Sequence, residues 1–147
     1  MKTQMYGFTL MEMVMVMVLA SVLVGVAGKA FGSTQRRFAA EQGLMVFESM
    51  HARARGTAIE SGAPVRLFVD PAADTVSLTR GAVVLETIHF ADELAVDIGG
   101  SSLTLCMGPR GFASDACTSF DSPQTLTFTR GDNTESVRIL PLGQLVR

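Results

Sequence analysis

The chain has 147 residues, enough for one compact domain and one further element but not for two full domains. Its net charge of -2, with no basic block, leaves no electrostatic footprint for a nucleic acid. Apolar residues make up 48% of it and crowd the start, where the first thirty positions hold six of the nine methionines.

A short leader, residues 1–7, carries Lys2 as its only charged side chain. Residues 8–28 follow, an apolar run in which Thr9, Glu12 and Ser21 are the polar members. As a helix such a run spans roughly 31 Å, the hydrocarbon thickness of a bilayer. Three readings compete for it. One is a conventional secretory signal peptide with residues 13–26 as its apolar core, cut near Lys29 or Phe31 beside Gly25, Ala27, Gly28 and Ala30. Another is a passive membrane anchor. The third is a leader cut after Gly7 that leaves the apolar segment in the mature chain.

Glu12 decides among them. A carboxylate in a membrane helix is costly unless it is paired or protonated. A signal peptide or passive anchor gains nothing from it. A cut after Gly7 frees an α-amino group on Phe8, and a neighbouring subunit's amino group can then neutralise Glu12. The acid becomes an assembly device.

Gly7-Phe8-Thr9-Leu10-Met11-Glu12 resembles the prepilin peptidase motif of type IV pilins and type II secretion pseudopilins. In that family a short leader ends in Gly, Phe usually follows, and Glu lies five positions into the mature chain before an apolar helix. The resemblance implies cleavage between Gly7 and Phe8, N-methylation of Phe8, and a docking role for Glu12. It also implies a single-pass protein of the bacterial inner membrane, its C-terminal domain in the periplasm, that later joins a pilus or pseudopilus fibre. Its partners would be other pilin or pseudopilin subunits, the prepilin peptidase and the inner-membrane assembly platform.

Beyond the membrane the helix can continue through residues 29–62, since no proline precedes Pro64. Gly25, Gly28 and Gly32 each weaken it by roughly 1 kcal/mol relative to Ala. The stop is expected at Ser61-Gly62-Ala63-Pro64, with Gly62 as C-terminal cap. The helix would then run about 53 residues, roughly 80 Å. Two apolar stripes mark its second half. Ala40, Leu44, Phe47, Ala54 and Ala58, with His51, share one face suited to covering a sheet. Phe31, Phe38, Met45, Ala52 and Ile59 repeat every seven positions on another face. A neighbouring subunit's helix or a broad contact with the chain's own core would account for this second stripe.

Residues 63–147 change to period 2. Strands are expected at 65–69, 75–79, 83–90, 94–98, 103–107, 125–130 and 135–140, separated by turn signals at Asp70-Pro71, Gly99-Gly100 and residues 130–133. Residues 108–124 read as a loop. The expected fold class is α+β, a long N-terminal helix packed on antiparallel β-sheets. The order resembles the H-type pseudopilin and FimT-like minor pilin branch (GspH/FimT), whose closing strand is similar to residues 140–147. Some FimT-like proteins take up DNA through a basic Gly-Arg-x-Arg sequence near the end. Here Gly143-Gln144-Leu145-Val146-Arg147 stands there, with Arg138 and Arg147 supplying the charge nearby, so a FimT-like DNA-uptake minor pilin stays an alternative and not the expectation.

Cys106 and Cys117 enclose ten residues. In an exported domain such a pair favours a disulfide, stabilising by roughly 3 kcal/mol; two reduced cysteines are the other reading. With His51 and His89 the only histidines, no zinc set suggests itself, and neither a metal nor a cofactor is expected. Each histidine reads as structural. Arg130-Gly131-Asp132 reads as a hairpin turn and not as an adhesion tripeptide. Gly99-Gly100-Ser101-Ser102 lacks a nucleophile elbow, and no carboxylate dyad, phosphate loop or redox C-x-x-C is present, so no catalysis is expected. The expectation is a minor pilin or pseudopilin. Its rival is an exported enzyme or binding domain behind a conventional signal peptide.

Overall fold

The computed structural model describes residues 9–147 except residue 116, with the side chains of residues 26–31 and 33 also left aside. The elements are α1 (Leu10–Ser61), β1 (Val65–Asp70), β2 (Thr75–Arg80), β3 (Val83–His89), α2 (Phe90–Leu94), β4 (Asp97–Gly99), β5 (Leu103–Met107), β6 (Gln124–Arg130), β7 (Asn133–Ile139) and β8 (Leu145–Val146). The chain divides into two compact units between Gln35 and Arg36.

In the first unit, α1 opens on a capped turn. The Thr9 hydroxyl accepts the Glu12 backbone N–H at 3.3 Å, and the Thr9 carbonyl accepts the N–H groups of Glu12 and Met13 at 3.1 and 3.2 Å. A helix start leaves N–H groups without partners, and a threonine just ahead of it supplies one. From Thr9 to Gly25 every side chain is exposed. Among the described residues no helix is long and apolar enough to cross a membrane. The expected span of residues 8–28 reaches past the described side chains at both ends.

In the second unit, α1 ends at Ser61, where Gly62 takes φ 61° and Pro64 follows, as expected of a left-handed cap ahead of a helix breaker. Beyond it the chain forms two antiparallel four-stranded sheets, ordered β3-β2-β1-β5 and β4-β6-β7-β8. Alternation explains which side of each strand faces inward. Val65, Leu67 and Val69 of β1 are buried while Arg66 and Phe68 are exposed, and Val76 and Leu78 of β2 are buried in the same rhythm. Leu126 and Phe128 of β6 and Val137 and Ile139 of β7 do the same in the second sheet.

Two hairpins share one device. β2–β3 and β6–β7 turn through the two-residue loops Gly81-Ala82 and Gly131-Asp132, with φ near 60° at each glycine. Glycine first in such a loop suits a type II′ turn, whose twist matches that of the strands. Arg130-Gly131-Asp132 is therefore part of a hairpin, as expected.

The alternation predicts a third strand running through Phe90 and another beginning at Leu94. The chain instead turns there into α2, with Phe90 wholly buried. The Asp74 carbonyl accepts the Phe90 N–H, and the Asp74 carboxylate accepts the Ile98 N–H at 2.6 Å. These bonds and the left-handed Ala95 steer the chain from the first sheet to the second. Phe90 then stacks at a tilt on Phe128, 5.6 Å between centroids, and Phe128 meets Phe47 of α1 at 5.5 Å. Helix and both sheets converge on one core.

Candidate assembly surface

Glu12 sits in the first turn of α1, three residues after the capping Thr9. The Thr9-Leu10-Met11-Glu12 spacing is that of a capping box. A carboxylate there is favoured by the partial positive charge of the helix start. Its side chain is exposed, at the head of a helical stretch whose other polar members are Thr9 and Ser21. The Ser21 hydroxyl is turned back onto the Val18 carbonyl at 2.8 Å, so it adds little polarity to the surface. Gly7 and Phe8, the expected cleavage and methylation positions, lie outside the described residues.

Further along α1 the two expected stripes separate cleanly. Ala40, Leu44, Phe47, His51, Ala54 and Ala58 are buried, together with Ala39 and Met50. Phe38, Met45 and Ile59 are 59, 49 and 53% exposed, and Ala52 is exposed beside them. Phe31, the first member of that stripe, has no described side chain. At 100° per residue the exposed stripe lies roughly opposite the buried one. Phe38, Met45, Ala52 and Ile59 each keep a large part of their surface open, and none joins the buried core. At its far end Ile59 lies under Gly111, and the Arg55 guanidinium lies 5.9 Å from the ring centroid of exposed Phe112.

The loop that carries Phe112 is fixed along β5. Cys106 and Cys117 are joined in a disulfide, with Cα atoms 5.5 Å apart. Ser114 and Ser119 donate backbone N–H groups to the Cys106 and Thr104 carbonyls, and Met107 bridges to Ala113. The expected loop is thus a cover for the β5 edge.

Side-chain hydrogen bonds also tie α1 to distant chain, and none of those described below was visible in the sequence. His51, 7% exposed, donates from Nε2 to the Gly143 carbonyl at 2.8 Å. Since a carbonyl can only accept, Nε2 carries the proton in the neutral ring. Burial pushes the imidazole below its ordinary value and Arg55 adds to this, while the Gly143 hydrogen bond and Glu48 work against it. Glu48 receives the Arg147 guanidinium at 2.7 and 2.8 Å, which holds its carboxyl below the usual range and raises Arg147 in turn. Arg53 reaches Glu86 of β3 at 2.6 Å. His89, the other histidine, lies exposed on β3.

Among the described residues no group of three His, Cys, Asp or Glu side chains could hold a metal ion. The clefts are surface features; one of about 430 Å³ is lined by Arg66, Phe68, Ser77, Thr79, Thr104 and Cys117, with no acid–base pair among them.

Neither the family models nor the curated proteins compared with this sequence match it. Among solved structures, the type IV minor pilin FimU of Pseudomonas aeruginosa is similar, with a TM-score of 0.53 and 14% sequence identity over 78% of this chain and 89% of that one. At that identity the likeness is one of fold. The chain has the pilin-like fold expected from its motif and element order, a helix on antiparallel sheets.

Proposed function

We propose that this chain is a minor pilin or pseudopilin, a structural subunit of a type IV pilus or a type II secretion pseudopilus. Residues 8–28 anchor it in the bacterial inner membrane with residues 63–147 in the periplasm. The prepilin peptidase cuts between Gly7 and Phe8, and Phe8 is N-methylated. On assembly, Glu12 pairs with the amino group of a neighbouring subunit and the exposed α1 stripe packs on a neighbour's helix. Other subunits, the peptidase and the assembly platform are its partners, and the role is structural and not catalytic.

One observation carries this reading. From Leu10 to Gly25, α1 exposes every side chain, nearly all apolar, with a lone carboxylate in the first turn. A helix apolar all round needs lipid or other helices about it. A carboxylate at its head then needs a cation, which a freed neighbouring amine supplies. The fold likeness to a type IV minor pilin supports the same role, and the element order supports the GspH/FimT branch.

Intact mass and N-terminal sequencing of membrane-extracted protein test it. The expected chain begins at methylated Phe8. A chain beginning near Lys29 or Phe31 would instead identify a conventional signal peptide and overturn the proposal. A gene cluster holding a secretin and secretion ATPase would assign the pseudopilus, and a pilus or competence cluster the pilus.

A further inference from the structure

The segment 140–147 is lightly paired and yet reaches three other parts of the second unit. β8 contributes two ladder positions, Val146 opposite Arg138 and Leu145 opposite Ile139. The Leu142 carbonyl accepts the Ala113 N–H at 3.0 Å. Gly143, at φ 78°, comes so close to Met107 and Ala113 that an added Cβ would sit 3.0 and 3.2 Å from them. Leu145, half-buried, packs against the core, and a further hold is on α1, where Glu48 and His51, three residues apart, grip Arg147 and the Gly143 carbonyl.

We propose that residues 140–147 form an acid-released strap, clasped on α1 by His51 and Glu48 and let go when the His51 ring takes up a second proton. The neutral ring already donates from Nε2, so that proton comes from solvent and goes to Nδ1. It places a full charge in a site that is 7% exposed. From its own helix Glu48 and Arg55 face the ring, one attracting the new charge and the other repelling it. From the strap come the neutral Gly143 carbonyl and, beyond Glu48, the Arg147 guanidinium. Met107 and Ala113, packed on Gly143, are uncharged. Glu48 already accepts from Nε and Nη2 of Arg147, and so compensates the new charge poorly. Opening the strap hydrates the imidazolium and leaves the buried Leu126, Phe128 and Val137 in place.

The direction with pH follows from linkage. A histidine whose folded value lies below its ordinary 6.5 stabilises the closed strap fully above that pH, and the contribution fades as pH falls beneath it. Glu48, also lowered, supports closure above its ordinary 4.5 and fails only in stronger acid. His51 therefore opens the clasp first. Release strips β8 from β7 and turns β7 into an open sheet edge, a surface able to pair with another strand.

Backbone amide exchange of the full chain in detergent micelles, from pH 7.5 to 5.0 and corrected for intrinsic rates, tests the proposal. Peptides covering 140–147 should lose protection below pH 6.5 by up to about tenfold per pH unit, while β1 and β6 keep theirs. His51→Gln retains an N–H donor but cannot titrate, and its strap should hold equally across that range. A flat wild-type profile, or acid loss persisting in His51→Gln, would overturn the strap. Loss of protection in all strands together would do the same. Should the variant fail to fold, an NMR titration of the wild-type imidazoles decides. The His51 midpoint must coincide with strap opening, and coincidence with the exposed His89 instead would refute the proposal.

Discussion

From Leu10 to Gly25, α1 leaves its side chains bare, whereas from Ala39 to Ala58 it sinks one face into a core shared with two sheets. The first stretch carries one carboxylate among apolar residues. The second alternates buried Leu44, Phe47 and Ala54 with exposed Arg53 and Arg55. The lesson is that one continuous helix is built for two surroundings. Its second half finds its partner within the chain, while no described residue covers the stretch from Leu10 to Gly25; on the proposed function, lipid and neighbouring subunits cover it. Damage to one stretch should therefore leave the other's property intact.

The largest effect is expected at Glu12. On the proposed docking, Glu12→Gln removes one member of a desolvated ion pair at a cost of about 3–5 kcal/mol, and should leave less than a tenth of wild-type protein in sheared fibres. The urea midpoint of the folded domain should not move. A variant that enters fibres as readily as wild type would break the comparison, because the bare stretch would then need nothing for its acid.

Next comes a pair of phenylalanines nine residues apart on the same helix. Phe47 is fully buried against Phe128, so Phe47→Ala should lower stability by about 3–5 kcal/mol in urea unfolding. Phe38 is exposed, and Phe38→Glu should change stability by less than about 0.5 kcal/mol while reducing recovery in fibres. Unchanged incorporation of Phe38→Glu would leave the exposed stripe without a partner. Replacing Cys106 and Cys117 by serine should cost about 3 kcal/mol, read as a lower urea midpoint, because the cover along the β5 edge loosens with the bond.

Much of this contrast was legible in the amino-acid order because it is written in local period. Seven-residue spacing separated the two stripes, and Gly62 before Pro64 marked the helix end to within a residue. Period 2 located the main strands. What stayed hidden depends on distant partners. α2 spans five residues, too few for a helical period to show, and Phe90 continued the alternation of β3 until the Asp74 carbonyl drew it aside. β5 joins β1 at the far edge of the first sheet, a pairing that no local pattern announces. At the candidate site, Glu12 was legible because a charge in an apolar run violates its surroundings. The apolar stripe marks His51 as structural, and its burial agrees, but its partner Gly143 lies 92 positions away. Glu48 and Arg147, 99 apart, are ordinary surface residues until the fold brings them together.

The smallest effect belongs to Arg53 and Glu86, which join α1 to β3 at 2.6 Å. The arginine side chain is 59% exposed, so solvent screens the pair and its ordering entropy offsets most of the attraction. Arg53→Ala should lower stability by about 0.2–1 kcal/mol at low salt, and the difference should vanish near 1 M salt, where the screening length is about 3 Å. A larger, salt-independent loss would mean that the arginine's alkyl stem helps cover the first sheet. The boundary between the buried and exposed faces of α1 would then lie farther round the helix than the exposure of Arg53 implies.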